Sequence, residues 1–392
     1  MPEKNSQRKI MTGGEAVAEA MRQINPDVVS AYPITPQTPI IETFSQMVAD
    51  GKVDTEYILT ESEHSALSCV VGASAAGARA MTATASQGLA YMWEMLGATS
   101  GMRLPVVMAI ANRALSSPLN IHCDHSDSMG ARDQGWIQIF SENIQEVYEN
   151  MLLAVRLSEH PEVLLPTMVM QDGFSTSHSA EIIEMLDDEA VKKFVGEFKP
   201  HKPLLNFSEP MTYGPVALPD TYFEVKRQQI EAIRTAKQKY LEVGSELSKI
   251  TGNKYPYFEE YKLEDAEVAL VTSSSTAGTI KEIVDGLRAQ GKKVGLLKIK
   301  LFRPFPYEEI AAALAHIKTI GVLDRSPDFG AAAPFYGDIK IGLADLAKSP
   351  QLQSYVFGLG GREIQLTEIE KVFAELLAGE VSKETKYIGL KE

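Results

Sequence analysis

The first 170 residues alternate between two hydrophobic patterns. Ala16, Val17, Ala20, Met21 and Ile24 recur at helical spacing after Gly13-Gly14 and predict a helix. The short apolar run from Asp27 to Tyr32, broken by Pro33 and Pro36, predicts a strand. Ile40, Ile41, Phe44, Met47 and Val48 mark a second helical face that ends near Gly51, and Tyr57 to Thr60 reads as the next strand. Residues 64–78 are nearly all small or apolar and predict a buried helix whose Ala and Gly residues let neighbouring backbones approach. Met81 to Ala85 and Pro105 to Ala111 read as buried strands, with one helix from about Leu89 to Ala98 between them. Helices alternating with short, fully apolar strands are the signature of a parallel sheet covered on both faces.

The pattern changes after Phe174. Residues 175–221 hold several prolines and few periodic apolar positions, which predicts an extended excursion. Phe223 to Ile250 then reads as one long charged helix, ended by TGNKYPY, and marks the connection between two units. Beyond it, Val268–Ser273, Val294–Ile299 and Thr319–Leu323 are strand-like runs separated by the amphipathic segments TAGTIKEIVDGLRAQG and YEEIAAALAHI. This is a βαβαβ pattern. The expected organisation is therefore α/β throughout, with a first domain over residues 1–255 and a second over 256–392.

The length of 392 residues suits two such domains, and 44% hydrophobic with 23% charged residues excludes disordered, collagen-like and coiled-coil chains. A net charge of −14 argues against gripping nucleic acid or an anionic membrane through the overall field. The first 17 residues lack the apolar core of a signal peptide, and no run of about 18 apolar residues could span a bilayer, so a cytoplasmic location is expected. Only two cysteines occur, Cys69 and Cys123, which excludes a disulfide framework and any self-contained all-cysteine metal or iron–sulfur site.

Several chemical signatures are absent: there is no P-loop, no G-x-S-x-G elbow, and the glycine cluster Gly358-Leu-Gly-Gly361 lacks dinucleotide-binding spacing. The segment His122-Cys-Asp-His-Ser-Asp127 carries zinc-type ligands but no second His or Cys cluster to close a tetrahedral site, so a polar loop lining a pocket is expected. Thr35 stands between Pro33 and Pro36 directly after a strand, where ligands of α/β sheets bind; it could equally cap the helix starting near Pro39. Glu61 and Glu63 sit before a helix, where two carboxylates either satisfy the dipole or enter an apolar pocket as proton donors. Arg113 ends the strand PVVMAIAN and either neutralises a nearby aspartate or presents its fork to a carboxylate ligand.

Taken in order, YPITPQTP, ESEHSA, GASAAGARAMTATASQGL, ANR and CDHSDSMGARDQGW strongly resemble the alpha subunits of 2-oxoacid:ferredoxin oxidoreductases, the multi-subunit pyruvate type in particular. KIKLFRPFP and GVLDRSPDFG extend the resemblance through the second domain. It implies an α/β fold with a thiamine-diphosphate-fold, pyrimidine-side domain followed by a transketolase C-terminal-like domain. It implies that Glu63, rather than Glu61, hydrogen-bonds the aminopyrimidine of thiamine diphosphate and promotes loss of the cofactor's C2 proton. It further implies that Thr35 and Arg113 bind the substrate carboxylate, and that Ser86, Gln87 and Gly88 wall the cofactor. The Ser-Gln-Gly form is that of the pyruvate-type enzymes. The implied reaction is the reversible, coenzyme A-dependent oxidative decarboxylation of pyruvate to acetyl-CoA and CO2 with reduction of ferredoxin or flavodoxin.

The family binds the diphosphate and its Mg2+ through Gly-Asp-Gly followed by Asn, and no such motif occurs here; Gly337-Asp338 is followed by Ile339. The resemblance places that motif on a beta subunit and the [4Fe-4S] clusters on partners, including gamma and ferredoxin-like delta subunits. The alternatives are an oxidoreductase for a branched or aryl 2-oxoacid, and a non-catalytic scaffold subunit.

Overall fold

The structure, a computed structural model, describes residues 6–391. The chain opens with β1 (Ser6–Thr12), α1 (Gly13–Ile24), β2 (Val28–Ala31), α2 (Thr38–Ala49), β3 (Glu56–Leu59), α3 (Glu63–Ala76) and β4 (Ala80–Thr84). Two short helices, α4 (Ser86–Tyr91) and α5 (Trp93–Gly101), lead to β5 (Val107–Asn112), α6 (Ser126–Gly130), β6 (Ile137–Phe140), α7 (Ile144–Ser158) and β7 (Thr167–Asp172). Then come β8 (Ala180–Leu186), α8 (Asp188–Val195) and the long α9 (Tyr222–Thr251). The last part holds β9 (Phe258–Tyr261), β10 (Val268–Ser273), α10 (Thr276–Ala289), β11 (Val294–Ile299), β12 (Leu301–Arg303) and α11 (Tyr307–Leu314). It closes with β13 (Thr319–Asp324), α12 (Pro334–Gly342), β14 (Gln351–Val356), α13 (Leu366–Leu377) and β15 (Lys386–Tyr387).

The alternating helix–strand pattern builds two sheets. The first is ordered β12-β6-β7-β5-β4-β2-β3 and is parallel except for β12. The second is ordered β15-β14-β13-β10-β11-β9 and is parallel except for β9. Strands β4, β5, β6 and β7 are buried along their whole length, β6 and β7 including the buried polar Gln138, Gln171 and Asp172. Strand β12, although it follows the long helix, adds antiparallel to β6 of the first sheet. One apolar cluster is shared by both halves: Phe140 meets Phe302 and Phe335 edge-on at centroid distances of 5.9 and 5.8 Å.

Three expectations change. The helix expected over Leu89–Ala98 is two helices, because Met92 between them takes φ −78° and ψ −2° and leaves α-helical geometry. The expected excursion contains β8 and α8. Strand β8 pairs antiparallel with the charged strand β1 in a two-stranded ribbon that buries Ile183 and Met185 but leaves Ile182 exposed, so neither strand carries a fully apolar run. Helix α3 buries Leu67, Val70 and Val71 but leaves Gly72 open, so its small residues are not all approached by neighbours.

Candidate active site

All the candidate residues lie beyond the carboxyl ends of the first sheet's parallel strands, where the order reverses between β2 and β4. Thr35 follows β2, Glu63 follows β3, Ser86, Gln87 and Gly88 follow β4, and Arg113 follows β5.

Glu63 is the first residue of α3, whose cap is supplied by Ser62 Oγ accepting from the Ser65 N–H. It is buried, and its carboxylate has no hydrogen-bond or ion-pair partner among the described residues. Glu61 is exposed and bonded by the Ser65 hydroxyl, which pulls its pKa below the usual carboxylate value. The two carboxylates of the ESEH motif are thereby separated: one faces solvent, the other is enclosed. Gly88, on α4, explains part of the enclosure. A Cβ there would stand 2.9 Å from Glu63 Oε1 and 2.4 Å from Thr84 Oγ1, so the site admits no side chain at position 88. Thr84 Oγ1 is itself buried without a partner.

Thr35 is exposed and does not cap α2; Gln37 occupies the cap position and makes no side-chain cap bond. The Thr35 carbonyl instead accepts from Arg113 Nη1 at 2.9 Å. Arg113 Nε donates to the Asn120 carbonyl, also at 2.9 Å. The guanidinium is 6% exposed and forms no ion pair among the described residues, and burial lowers its pKa from the ordinary arginine value. A buried cation held by two neutral carbonyls keeps three of its five N–H groups for an anion. The neutralising-aspartate role falls away for the side chain, although the Arg113 backbone does meet a carboxylate.

That carboxylate is Asp127, which the residue pattern marked only as part of a polar loop. Asp127 Oδ2 accepts from the backbone N–H groups of both Ser86 (2.9 Å) and Arg113 (3.0 Å). Its Oδ1 accepts from Asn112 Nδ2 at 2.8 Å and from the Ser128 N–H. Burial pushes the Asp127 pKa up to about 6 despite these donors. Ser86 adopts φ +47°, and its hydroxyl donates to the Ala114 carbonyl at 2.6 Å, while half-buried Gln87 brings Oε1 to 2.7 Å of the same hydroxyl. One aspartate thus ties the cofactor-wall segment to the arginine.

The neighbouring residues of that loop join the two sheets. His125 Nε2 meets Asp172 at 2.7 Å, and Arg325 Nη1, from the end of β13, donates to the same aspartate at 3.0 Å. Ser275 adds its hydroxyl. Burial alone would raise the Asp172 pKa, but the charges of His125 and Arg325 hold it well below the carboxylate range. Cys123, His125 and Asp172 are close enough together to suggest a metal centre. Arg325, however, already supplies the positive charge, and burial pushes the Cys123 thiol well up, away from the thiolate a metal needs. Asp124 and Ser126 of the segment, with Met129 beyond it on α6, line a cavity of about 700 Å³. Asp338, of the incomplete Gly-Asp motif, is spent on Arg303 and Tyr307.

Comparison with known proteins adds the following. Residues 19–244 match the family model described as pyruvate flavodoxin/ferredoxin oxidoreductase, thiamine diphosphate-binding, and residues 266–369 match pyruvate:ferredoxin oxidoreductase core domain II. The pyruvate synthase subunit PorA of Thermotoga maritima is 55% identical over 387 residues, covering 98% of this chain and 99% of the relative. PorA of Methanocaldococcus jannaschii is 44% identical, with 98% of each chain covered. The ketoisovalerate oxidoreductase subunit VorA of Pyrococcus horikoshii is 39% identical over 99% of this chain and all of the relative. Among solved structures, the 2-oxoglutarate:ferredoxin oxidoreductase from Magnetococcus marinus, solved with 2-oxoglutarate, coenzyme A and succinyl-CoA bound, superimposes with a TM-score of 0.73 at 21% identity. That match covers 96% of this chain and 66% of the other. A split-gene transketolase matches with a TM-score of 0.55 at 10% identity, covering 94% of this chain and 98% of the other.

Proposed function

The chain belongs to the pyruvate:ferredoxin oxidoreductase family, and from that membership we propose that it is the cofactor-activating and substrate-gripping subunit of a pyruvate:ferredoxin oxidoreductase. The reaction is the reversible conversion of pyruvate and coenzyme A to acetyl-CoA and CO2, with electrons passed to ferredoxin or flavodoxin. The observation that carries this reading is the buried, unpartnered Glu63 carboxylate standing against Gly88 and the orphaned Thr84 hydroxyl.

These residues fit the aminopyrimidine end of thiamine diphosphate, because a polar ring can use the two orphaned groups where no side chain is admitted. Glu63 would hold a proton at a ring nitrogen, and Ser86, Gln87 and Gly88 would wall the ring. Bound thiamine diphosphate supplies the electron sink for decarboxylation. Arg113 would grip the 2-oxoacid carboxylate with its uncommitted N–H groups, and the exposed Thr35 hydroxyl would donate to the same carboxylate. Burial of Glu63 keeps water from competing for its carboxylate.

The diphosphate end has no Gly-Asp-Gly holder in this sequence, so a beta subunit would bring that motif with its Mg2+. Cys69 and Cys123 cannot hold even one cluster, which needs about four thiolates, so the [4Fe-4S] relay would sit in partner subunits of the gamma and delta kind. No helix among the described residues is long and apolar enough to cross a membrane, and we place the complex in the cytoplasm. Domain limits of 1–255 and 256–392 are supported by the two sheets, with β12 as the strand that crosses between them. A branched-chain 2-oxoacid is the second reading, favoured only by the full-length likeness to the VorA subunit at its lower identity.

The test is Glu63→Gln in the assembled complex, with pyruvate- and coenzyme A-dependent reduction of ferredoxin as the readout. A loss of about 100-fold or more is expected for a proton-holding group. Near-normal turnover would establish a scaffold instead, and a profile of 2-oxoacids on the unmodified complex decides between pyruvate and branched substrates.

A further inference from the structure

The glycine cluster Gly358-Leu-Gly-Gly361, which has no nucleotide-binding spacing, has a different use. It forms a turn after β14 in which Gly358, Gly360 and Gly361 all have positive φ, at +63°, +59° and +79°. The turn packs against the loop that follows Arg113. A Cβ on Gly360 would lie 2.4 Å from Asn120 Nδ2, and one on Gly361 would lie 2.3 Å from His122 Cβ. Both backbone groups of Gly360 are spent on that loop: its carbonyl accepts from Asn120 Nδ2 at 2.9 Å, and its N–H donates to Asp124 Oδ2 at 3.1 Å.

Asn120 stands between this turn and the arginine. Its backbone carbonyl accepts from Arg113 Nε, and its Oδ1 accepts from the His122 N–H at 2.7 Å. The neck of the loop is closed by the Ala114 N–H donating to the His122 carbonyl. Asn120 and Gly360 both border the 700 Å³ cavity. The bond to Gly360 is therefore what fixes the residue towards the second sheet. Arg113 is planar and is pinned along two edges, by Asn120 through Nε and by Thr35 through Nη1. Moving the Asn120 carbonyl rotates the whole fork.

We propose that Asn120 is a positioning residue through which the Gly358–Gly361 turn of the second sheet sets the orientation of the Arg113 guanidinium. Substrate affinity is thereby coupled to the seating of the second sheet against the first. This inference rests on the reading that Arg113 grips the 2-oxoacid carboxylate.

The experiment is steady-state kinetics on the assembled complex carrying N120A, N120D, G360A and the N120A/G360A pair, with R113Q as a reference. N120A removes the side-chain bonds to Gly360 and to His122, while N120D keeps an acceptor for the His122 N–H and removes the donor to Gly360. Each is expected to raise the KM for pyruvate about threefold to tenfold, the worth of one hydrogen bond. The kcat is expected to stay within about twofold, and the KM for coenzyme A to stay unchanged. G360A, whose methyl displaces Asn120, is expected to raise the same KM, and to add little once Asn120 is already alanine. A general loss of packing would instead lower kcat and disturb both KM values. An unchanged pyruvate KM in N120A, or effects of N120A and G360A that simply multiply, would overturn the relay. If R113Q itself leaves the pyruvate KM unchanged, the reading of Arg113 fails, whatever Asn120 does.

Discussion

Gly88 lies so close to Glu63 that a methyl group at position 88 would meet the Glu63 carboxylate at 2.9 Å. The same methyl would be 2.4 Å from Thr84 Oγ1. Contacts this short force a shift, and Glu63 is the side chain that can rotate away. Alanine gains about 1 kcal/mol over glycine in a helix, and overpacking costs about 1–3 kcal/mol, so Gly88→Ala in α4 is expected to fold with a lowered melting temperature. Its expected consequence is a misplaced carboxylate and a loss of turnover of about 10- to 100-fold. The check is activity of the assembled complex alongside its melting temperature. Full activity in a well-folded variant would remove Gly88 and Glu63 from the site together.

Asp127 makes a second prediction, because both of its oxygens are occupied by donors. Ser86 and Arg113 share Oδ2, and Asn112 and Ser128 share Oδ1. Asparagine can accept at only one oxygen, and its amide would face two N–H groups that remain buried. Asp127→Asn is expected to cost about 2–4 kcal/mol, the sum of two unsatisfied donors, and to raise the KM for the 2-oxoacid because Arg113 loses its backbone anchor. Urea unfolding of the chain and the kinetics of the complex test the two halves separately. A variant as stable as the parent would mean that the buried donors find other acceptors.

Strands β2, β4, β5, β10, β11 and β13 are legible because a strand covered on both faces must be apolar throughout. Thr35, the Ser86–Gly88 segment and Arg113 are legible by position, since each follows such a strand; Glu63 follows the exposed edge strand β3 and is legible instead as a carboxylate at the start of α3. Strands β1 and β8 are not, because a two-stranded ribbon with one exposed face carries charges, Arg8 and Lys9 in β1 and Glu181 and Glu184 in β8, that break up any apolar run. Asp172 and Asn120 owe their roles to partners far away in the chain, and Asp127 to backbone N–H groups that no side-chain pattern marks. Asp172 meets Arg325 across 153 positions, and Asn120 meets Gly360 across 240. No local pattern encodes such a pairing. The glycine cluster was visible, but only the chain packed against it says what it is for.

The buried pair at the seam yields a third prediction. Asp172 is fully buried and takes bonds from His125, Arg325 and Ser275, so removing Arg325 leaves a carboxylate with less compensation than its burial requires. Arg325→Met is expected to destabilise the chain by about 3–5 kcal/mol. Combined with Asp172→Asn, the loss should be smaller than the two single losses added, since the variant no longer buries an unpaired charge. The measurement is a double-mutant cycle by urea unfolding. Strict additivity would show that Arg325 and Asp172 are held in place independently of one another.

Asp324 makes the stability of the chain depend on pH in the sense opposite to most carboxylates. It ends β13, is fully buried, and accepts from the N–H groups of Phe335 at 2.7 Å and Tyr336 at 3.1 Å at the start of α12. Burial pushes its pKa from 3.8 to about 7, and these two donors do not offset it. Because the folded value lies above the unfolded one, the folded chain holds this proton more tightly between those limits. The stabilisation is complete below about pH 4, fades as pH rises through the folded value of about 7, and is absent above it. Asp324→Asn keeps a neutral group at every pH and so lacks this slope. Carboxylates such as Glu146, held down to about 2 with the help of Lys298 and Lys300, push the total the other way, so the comparison must be between parent and variant rather than across pH for one protein. Urea unfolding at pH 5 and pH 8 makes that comparison. The stability of the parent relative to Asp324→Asn is expected to fall on going from the lower pH to the higher; a constant difference would mean that Asp324 is ionised throughout, held so by the start of α12.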